Sequence, residues 1–173
     1  MIKFEEPVLM PRLALRVFAP SDEDALFAVH VDAESAKYLS RATRSRSEVR
    51  QTISRRMGQL RFAEPGDGLI LATTTRPAGT LVGKCSLWLR TGREAEIGFA
   101  TASAHQGKGY AREAAMALIS FARSTELVDM IYARVRKENT ASIRLLQRLG
   151  MTRREHRETP EDHIIYQIRP AAL

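Results

Sequence analysis

A glycine-rich stretch, Gln-Gly-Lys-Gly-Tyr-Ala at 106–111, has the residue types needed to bind an anion. It joins a segment typical of a strand to a segment typical of a helix. The first N–H groups of a helix carry partial positive charge, and glycine lets an anion approach backbone that a Cβ would shield. The stretch therefore predicts an anion site, for which a pyrophosphate is a natural ligand.

Two nucleotide-binding loops fit this spacing poorly. A Walker loop requires Ser or Thr after Gly-Lys, whereas Gly109 follows Lys108, and no glycine lies at the required offset before it. A Rossmann fingerprint requires glycine or alanine where this chain has Arg112. Asp129 could imitate the ribose-binding acid, but it precedes a predicted strand instead of ending one. Both interpretations are weak.

Two carboxylates, Glu94 and Glu96, precede this loop in a predicted strand. Residues two apart in a strand lie on the same face, so both side chains point to one side. They are candidates for acid–base chemistry. The structural alternatives are an exposed strand carboxylate and an anchor for a substrate amine.

The elements that position these residues form a mixed set. Alternating apolar residues predict strands at about 12–18, 69–75, 80–89, 93–101 and 130–135, the middle three as an antiparallel meander, and a closing hairpin from 151–157 and 163–169. Helical periodicity predicts helices after Pro20, up to Leu39, over 45–60, over 110–124 and over 140–149. Asn139 and Gly150 have the types preferred at the two ends of the last helix. The order indicates one mixed α/β domain.

Composition and charge bound the class of protein. The chain has 173 residues, 44% of them hydrophobic, and a net charge of +7, which is typical of one globular domain. Its single cysteine, Cys85, excludes an intramolecular disulfide, and no Cys/His spacing predicts a metal site. No signal pattern and no apolar window of about 18 residues is present, so we expect a cytoplasmic protein.

Much of the positive charge lies at 41–61, where seven arginines accompany one glutamate. Val49, Ile53, Met57 and Leu60 recur at helical spacing, which predicts an amphipathic helix with an arginine face. Ser45 and Glu48 form a predicted capping box. The face is either a phosphate or nucleic-acid patch or a solvated helix surface. The absence of interleaved aromatic residues favours the second.

The loop resembles the acyl-CoA loop of the GNAT N-acetyltransferases, whose pattern is Gln/Arg-x-x-Gly-x-Gly/Ala. Residues 137–151, with an Asn-x-x-Ser start and a Leu-Gly-Met end, are similar to a later helix of that family. The opening Pro-Arg-Leu-Ala-Leu-Arg-Val at 11–17, followed by Ser-Asp-Glu-Asp, is similar to the Rim-type subgroup that acetylates ribosomal-protein N-termini. The resemblance covers nearly the whole chain.

The resemblance implies a single GNAT domain over 1–173, of the α/β (α+β) class, with a mostly antiparallel sheet splayed near its middle. Acetyl-CoA is expected in the cleft, with no metal, and an amine acceptor on the opposite side. The implied cofactor-binding residues are Phe99, Ala100, Thr101, Gln106, Gly107, Lys108, Gly109, Tyr110, Ala111, Asn139 and Ser142. The chain departs from the subgroup at Thr101 and Ser103, where a larger aliphatic residue and a proline are common.

The resemblance also implies catalytic roles for Glu96, Ser142 and Asn139. Glu96 lies where the family places a carboxylate beside the acetyl group, which makes it the predicted general base, acting through water. A backbone N–H near Phe99 is expected to stabilise the oxyanion. Asn139 and Ser142 are expected near the CoA sulfur. Many members use a tyrosine as general acid where this chain has Leu146, which leaves Ser142 or a water, with Tyr166 and Tyr132 as alternatives.

The acceptor stays open at this stage. The subgroup implies a protein or peptide N-terminal α-amino group, possible partners being ribosomal proteins, while an antibiotic, polyamine or amino acid fits the same motifs. Nucleic acid is not expected as a substrate, and a homodimer is frequent in the family. The arginine helix lies where family members build the acceptor side. A different class of function is a non-catalytic CoA-binding or basic RNA-associated module.

Overall fold

A computed structural model describes residues 2–4, 6–31, 45–155 and 160–169. Within these ranges the strands are β1 (Ile2–Lys3), β2 (Val8–Leu9), β3 (Leu13–Arg16), β4 (Arg61–Phe62), β5 (Gly68–Thr75), β6 (Leu81–Leu89), β7 (Glu94–Thr101), β8 (Met130–Arg136), β9 (Thr152–Arg154) and β10 (His163–Ile168). The α-helices are α1 (Glu23–Val31), α2 (Arg46–Met57), α3 (Tyr110–Ser124) and α4 (Thr140–Arg148).

Eight strands form one sheet in the order β2-β3-β5-β6-β7-β8-β10-β9, and β1 pairs with β4 beside it. All neighbours in the large sheet are antiparallel except β7 and β8, which are parallel. The predicted meander and closing hairpin are therefore confirmed. So is the mixed, mostly antiparallel sheet.

Helices cover both faces of this sheet. Successive residues of β5 belong to different clusters: Leu69 and Leu71 pack with α3, while Ile70 and Ala72 pack with α1 and α2. Side chains of a strand alternate between faces, so α3 lies opposite the other two helices. The buried face of α3 consists of small and branched residues that let the helix approach the strands closely, namely Ala114, Ala115, Leu118, Ile119 and Ala122.

The strand predicted at 12–18 and the helix predicted after Pro20 differ from their predicted bounds: they are β3 and α1. β3 ends at Arg16, whose guanidinium donates two hydrogen bonds of 2.7 Å to the buried carboxylate of Asp22. That carboxylate also accepts a hydrogen bond from the Ala19 N–H at 2.9 Å, which holds the turn before α1. The helix predicted up to Leu39 lies outside the described residues beyond Val31. No helix in the described ranges is both long and apolar enough to cross a membrane.

The arginine helix α2 is confirmed, with a narrower apolar stripe than predicted. Ser45 and Glu48 form the expected capping box. Val49 and Ile53 are buried, but the prediction is wrong for Met57, which is 39% exposed near the end of the helix. The stripe stops there because the chain turns away at Gly58 toward β4.

Candidate active site

The central feature of the sheet is a separation of β7 from β8. Their parallel pairing covers only Glu94 to Glu96 on β7 and Met130 to Tyr132 on β8. Beyond that point the buried-exposed alternation of β7 stops, and residues 98–101 are all half-buried. Phe99, Ala100 and Thr101 thus line one wall of an opening whose root is the pair of Glu96 and Tyr132.

The glycine-rich loop begins where β7 ends. Gly107 and Gly109 have φ of +74° and +80°, which side-chain-bearing residues rarely adopt. Gly109 is the N-cap of α3 and provides no side chain to cap it. The first helical hydrogen bond runs from the Glu113 N–H to the Gly109 carbonyl at 3.1 Å, so the N–H groups of 110–112 precede it. The loop therefore presents uncapped N–H groups beside two positions, Gly107 and Gly109, that carry no Cβ.

Gln106 ties this loop to the strand. Its amide nitrogen donates a hydrogen bond of 3.2 Å to the carbonyl of Thr101. The end of β7 and the start of the loop are thus held together.

Glu96 lies in a cluster with two neighbours at the root of the opening. Its Oε2 accepts a hydrogen bond of 2.7 Å from Arg90 Nη2 and a longer one of 3.3 Å from the hydroxyl of Tyr132. Burial, and then the charge of Glu96, raise the pKa of Tyr132 above its usual value. The phenol is therefore neutral at physiological pH and can donate a proton.

The β6–β7 hairpin positions Arg90. The Arg90 N–H bonds to the Glu94 carbonyl at 2.7 Å and closes the turn. Trp88 pairs with Glu96, so Arg90 is a diagonal cross-strand neighbour of Glu96 on the same face. The other carboxylate, Glu94, accepts a 2.6 Å hydrogen bond from Arg154 on β9, across two intervening strands.

Asn139 and Ser142 follow the end of β8, as the loop follows the end of β7. Since the two strands are parallel, both segments lie at the same edge of the sheet. The Asn139 side chain accepts a 3.1 Å hydrogen bond from the Ser142 N–H, which confirms the predicted N-cap. Leu146, one turn later, is buried.

A family model for the acetyltransferase (GNAT) domain matches residues 12–152. The chain belongs to the GNAT acetyltransferases. It is therefore an acetyltransferase, and acetyl-CoA is its cofactor. The loop fits a diphosphate of this cofactor, because uncapped N–H groups and open glycine backbone are what such a group requires.

The comparisons with individual proteins agree with this assignment. An uncharacterized N-acetyltransferase p20 of Bacillus licheniformis is 28% identical over 148 residues, which are 84% of this chain and 82% of that protein. A GNAT-family acetyltransferase structure from Bacillus anthracis has a TM-score of 0.82 and 24% identity, covering 96% of this chain and 99% of that one. RimL, a ribosomal L7/L12 alpha-N-protein acetyltransferase solved with coenzyme A, has a TM-score of 0.76 and 18% identity, covering 95% and 98%.

Other residues considered from the sequence of this acetyltransferase lie elsewhere. Tyr166 is buried in the core cluster, so of the two alternative tyrosines it is Tyr132 that contacts Glu96. Asp129 forms an ion pair with Arg93. Cys85 is fully buried, and burial raises the pKa of its thiol to about 12, which removes it as a nucleophile.

Sequence reasoning missed two arginines of this site, Arg90 and Arg154. Arg90 could have been found from its opposite charge and its diagonal position across a predicted hairpin. Arg154 could not, because it reaches Glu94 from 60 residues away in sequence.

Proposed function

We propose that this acetyltransferase acetylates a primary amine by direct attack within a ternary complex, and that the acceptor is the N-terminal α-amino group of a protein or peptide of the ribosomal-protein type. The observation that carries the proposal is Glu96, held by Arg90 and Tyr132 at the root of the strand opening. The Rim-like opening at 11–17 supports the acceptor class, as does the likeness to RimL.

The cofactor-binding residues follow from the loop and the opening. The backbone of Gly107, Lys108, Gly109, Tyr110 and Ala111 holds the diphosphate. Phe99, Ala100 and Thr101 offer backbone groups to the pantetheine amides, because past Glu96 they no longer pair with β8. Gln106 fixes the junction, and Asn139 and Ser142 border the sulfur end.

Acetyl-CoA, when bound, supplies the thioester whose acetyl group passes to the amine and whose thiolate leaves. Glu96 accepts the proton of the amine through a water. A backbone N–H near Phe99 donates a hydrogen bond to the carbonyl oxygen as negative charge develops there. Ser142 or a water returns a proton to the departing sulfur, and the neutral phenol of Tyr132 is the alternative donor.

Three broader features belong to this proposal. The proposal includes a single domain over 1–173, which is supported by one sheet whose strands lie between Val8 and Ile168. A cytoplasmic location fits the lone buried thiol of Cys85. Homodimerisation is carried by the family resemblance alone.

The test is acetyl-CoA titration calorimetry followed by thiol-release assays on an acceptor panel. The panel pairs peptides with a free N-terminus against the same peptides with a blocked N-terminus, and adds polyamines, aminoglycosides and amino acids. We expect turnover of the free peptides alone. Turnover of a small amine instead would replace the proposed acceptor, and tight binding without any turnover would favour a CoA-binding module.

The role of Glu96 is tested by Glu96→Gln with Glu94→Gln as its matched control on the same strand face. Loss of a general base lowers kcat by about 100-fold or more, with the Kd of acetyl-CoA unchanged. Glu94→Gln should lower kcat far less. Equal losses in the two variants would contradict the assignment of Glu96 as base.

A further inference from the structure

Arg12 joins the start of β3 to the glycine-rich loop, although about 100 residues separate them in sequence. Its Nη1 donates a hydrogen bond of 2.9 Å to the carbonyl of Lys108, in the middle of the loop. The guanidinium carbon also lies 5.2 Å from the centre of the Tyr110 ring, at the first position of α3. One side chain thus contacts two of the five residues at 107–111.

Glu113 holds Arg12 in this position. Its carboxylate accepts hydrogen bonds from Arg12 Nε at 2.8 Å and from the Arg12 backbone N–H at 3.1 Å, and Arg12 Nη2 lies 2.7 Å from Oε2. Two guanidinium nitrogens, Nε and Nη2, meet the same carboxylate oxygen while Nη1 meets the loop, and lysine, with one nitrogen, could not reproduce this set of contacts. Glu113 is only 16% exposed, so the anchor is firmer than an ordinary surface pair.

This arrangement matters for an anion near the start of α3. Glu113 places a negative charge in the first turn, close to the N–H groups that face the diphosphate. Arg12 neutralises that charge and, through the Lys108 carbonyl, fixes the direction of a loop peptide. Loss of Arg12 would both release the loop and leave an unpaired carboxylate beside the anion.

We propose that Arg12 is a positioning residue for the diphosphate loop, acting through Lys108 and Glu113 without touching the cofactor. The inference rests on the proposed role of the loop. It assigns a function to a residue just before β3 that lies outside every motif of the loop.

The experiment compares Arg12→Ala with Arg93→Ala. Arg93 is a matched control, since it is equally exposed and also bonds to a carboxylate, that of Asp129, and to a backbone carbonyl, that of Glu126. It precedes β7, whereas the loop follows that strand. Binding is measured with acetyl-CoA and with S-acetylpantetheine, which has the same thioester without the diphosphate. Amide hydrogen exchange of the unliganded loop is the second readout.

We expect Arg12→Ala to raise the Kd of acetyl-CoA about fivefold and to leave that of S-acetylpantetheine unchanged. Exchange should rise at 107–112 and stay the same across the sheet. Arg93→Ala should change none of these. Arg12→Lys, which keeps the charge, should give an intermediate Kd and serves if Arg12→Ala does not fold.

Three results would overturn the inference. If Arg12→Ala weakens both thioesters equally, Arg12 supports the fold and not the loop. If Gly109→Ala weakens acetyl-CoA binding and Arg12→Ala does not, the inference fails while the loop keeps its role. If neither variant weakens binding, the diphosphate assignment fails and the inference with it.

Discussion

The proposed cofactor side and the proposed acceptor side of the strand opening differ in construction. At the proposed cofactor side there are backbone N–H groups and two glycines with positive φ. On the proposed acceptor side Glu96 pairs with Arg90, and Glu94, farther back on the same strand face, pairs with Arg154. The positive φ of the two glycines is a local property of the chain, whereas the Arg154–Glu94 pair joins residues 60 apart and depends on the assembled sheet.

This difference bears on what each side can tolerate. A backbone site accepts most side chains but fails when a Cβ enters it. A site of charged side chains accepts small backbone changes but fails when one partner is removed. Substitutions in the loop should therefore mainly raise the Kd of acetyl-CoA, whereas substitutions around Glu96 should mainly lower kcat.

The largest effect on cofactor affinity should come from Gly109→Ala, with Gly92→Ala as control. Both glycines have positive φ, +80° and +69°, so each alanine costs about 1–2 kcal/mol of stability. Only Gly109 lies in the loop, so Gly109→Ala should also raise the Kd of acetyl-CoA about tenfold, measured by calorimetry. Equal Kd values for the two variants would contradict the proposal that the loop backbone at Gly109 binds the cofactor.

Tyr132→Phe should have a smaller effect, and on turnover alone. It removes the hydroxyl that contacts Glu96, so kcat should fall about threefold to tenfold while the Kd of acetyl-CoA stays unchanged. The pKa of Tyr132 is raised, so its neutral form persists to higher pH than that of an ordinary tyrosine. Any loss of rate from this group should thus occur at higher pH than the titration of an ordinary tyrosine.

The pH–rate profile of Tyr132→Phe is the check on that assignment. If the wild type loses rate on an alkaline limb near pH 8 and Tyr132→Phe does not, the phenol titrates far below the expected range. A fall in cofactor affinity would place Tyr132 on the cofactor side instead.

The sequence predicts the glycine-rich loop and the helix after it well because their features are local. The loop is six contiguous residues, and the helix after it has a clear period. The parallel register is not local, and nothing in the sequence places Tyr132 opposite Glu96 at the last pair before the strands separate. The choice between Tyr132 and Tyr166 therefore required the structure.

The contact of Arg12 with Glu113 and that of Arg154 with Glu94 could not be predicted from the sequence for the same reason. Arg12 and Glu113 are 101 residues apart, and Arg154 and Glu94 are 60 apart. In a chain with 27 lysines and arginines, a sequence cannot say which of them meets a given carboxylate. The buried positions Val49 and Ile53 of α2, by contrast, follow from periodicity, whereas the exposure of Met57 and the burial of Arg56 against Phe18 do not.

The smallest expected effect concerns α2. Its arginines either stabilise the fold through ion pairs or bind the acceptor, and two variants distinguish these roles. Arg46 forms an ion pair with Asp24 of α1, and Arg50 lies 3.5 Å from Glu23, so part of the arginine face joins two helices. Arg46→Ala should lower Tm by about 1–2 °C, less at high salt, because the pair is exposed and screened. Arg55→Ala removes an exposed arginine of the same helix for which no ion pair is found among the described residues, so its Tm should stay closer to that of the wild type.

The acceptor KM of these two variants also tests whether α2 binds the acceptor. If α2 recognises an acidic or RNA-associated acceptor, both variants should raise the acceptor KM, and Arg55→Ala should raise it at least as much, since its charge is not used by α1. If only Tm responds, and only to Arg46→Ala, the positive charge of α2 serves helix packing. The acceptor would then be selected by the Glu96 face of the sheet alone.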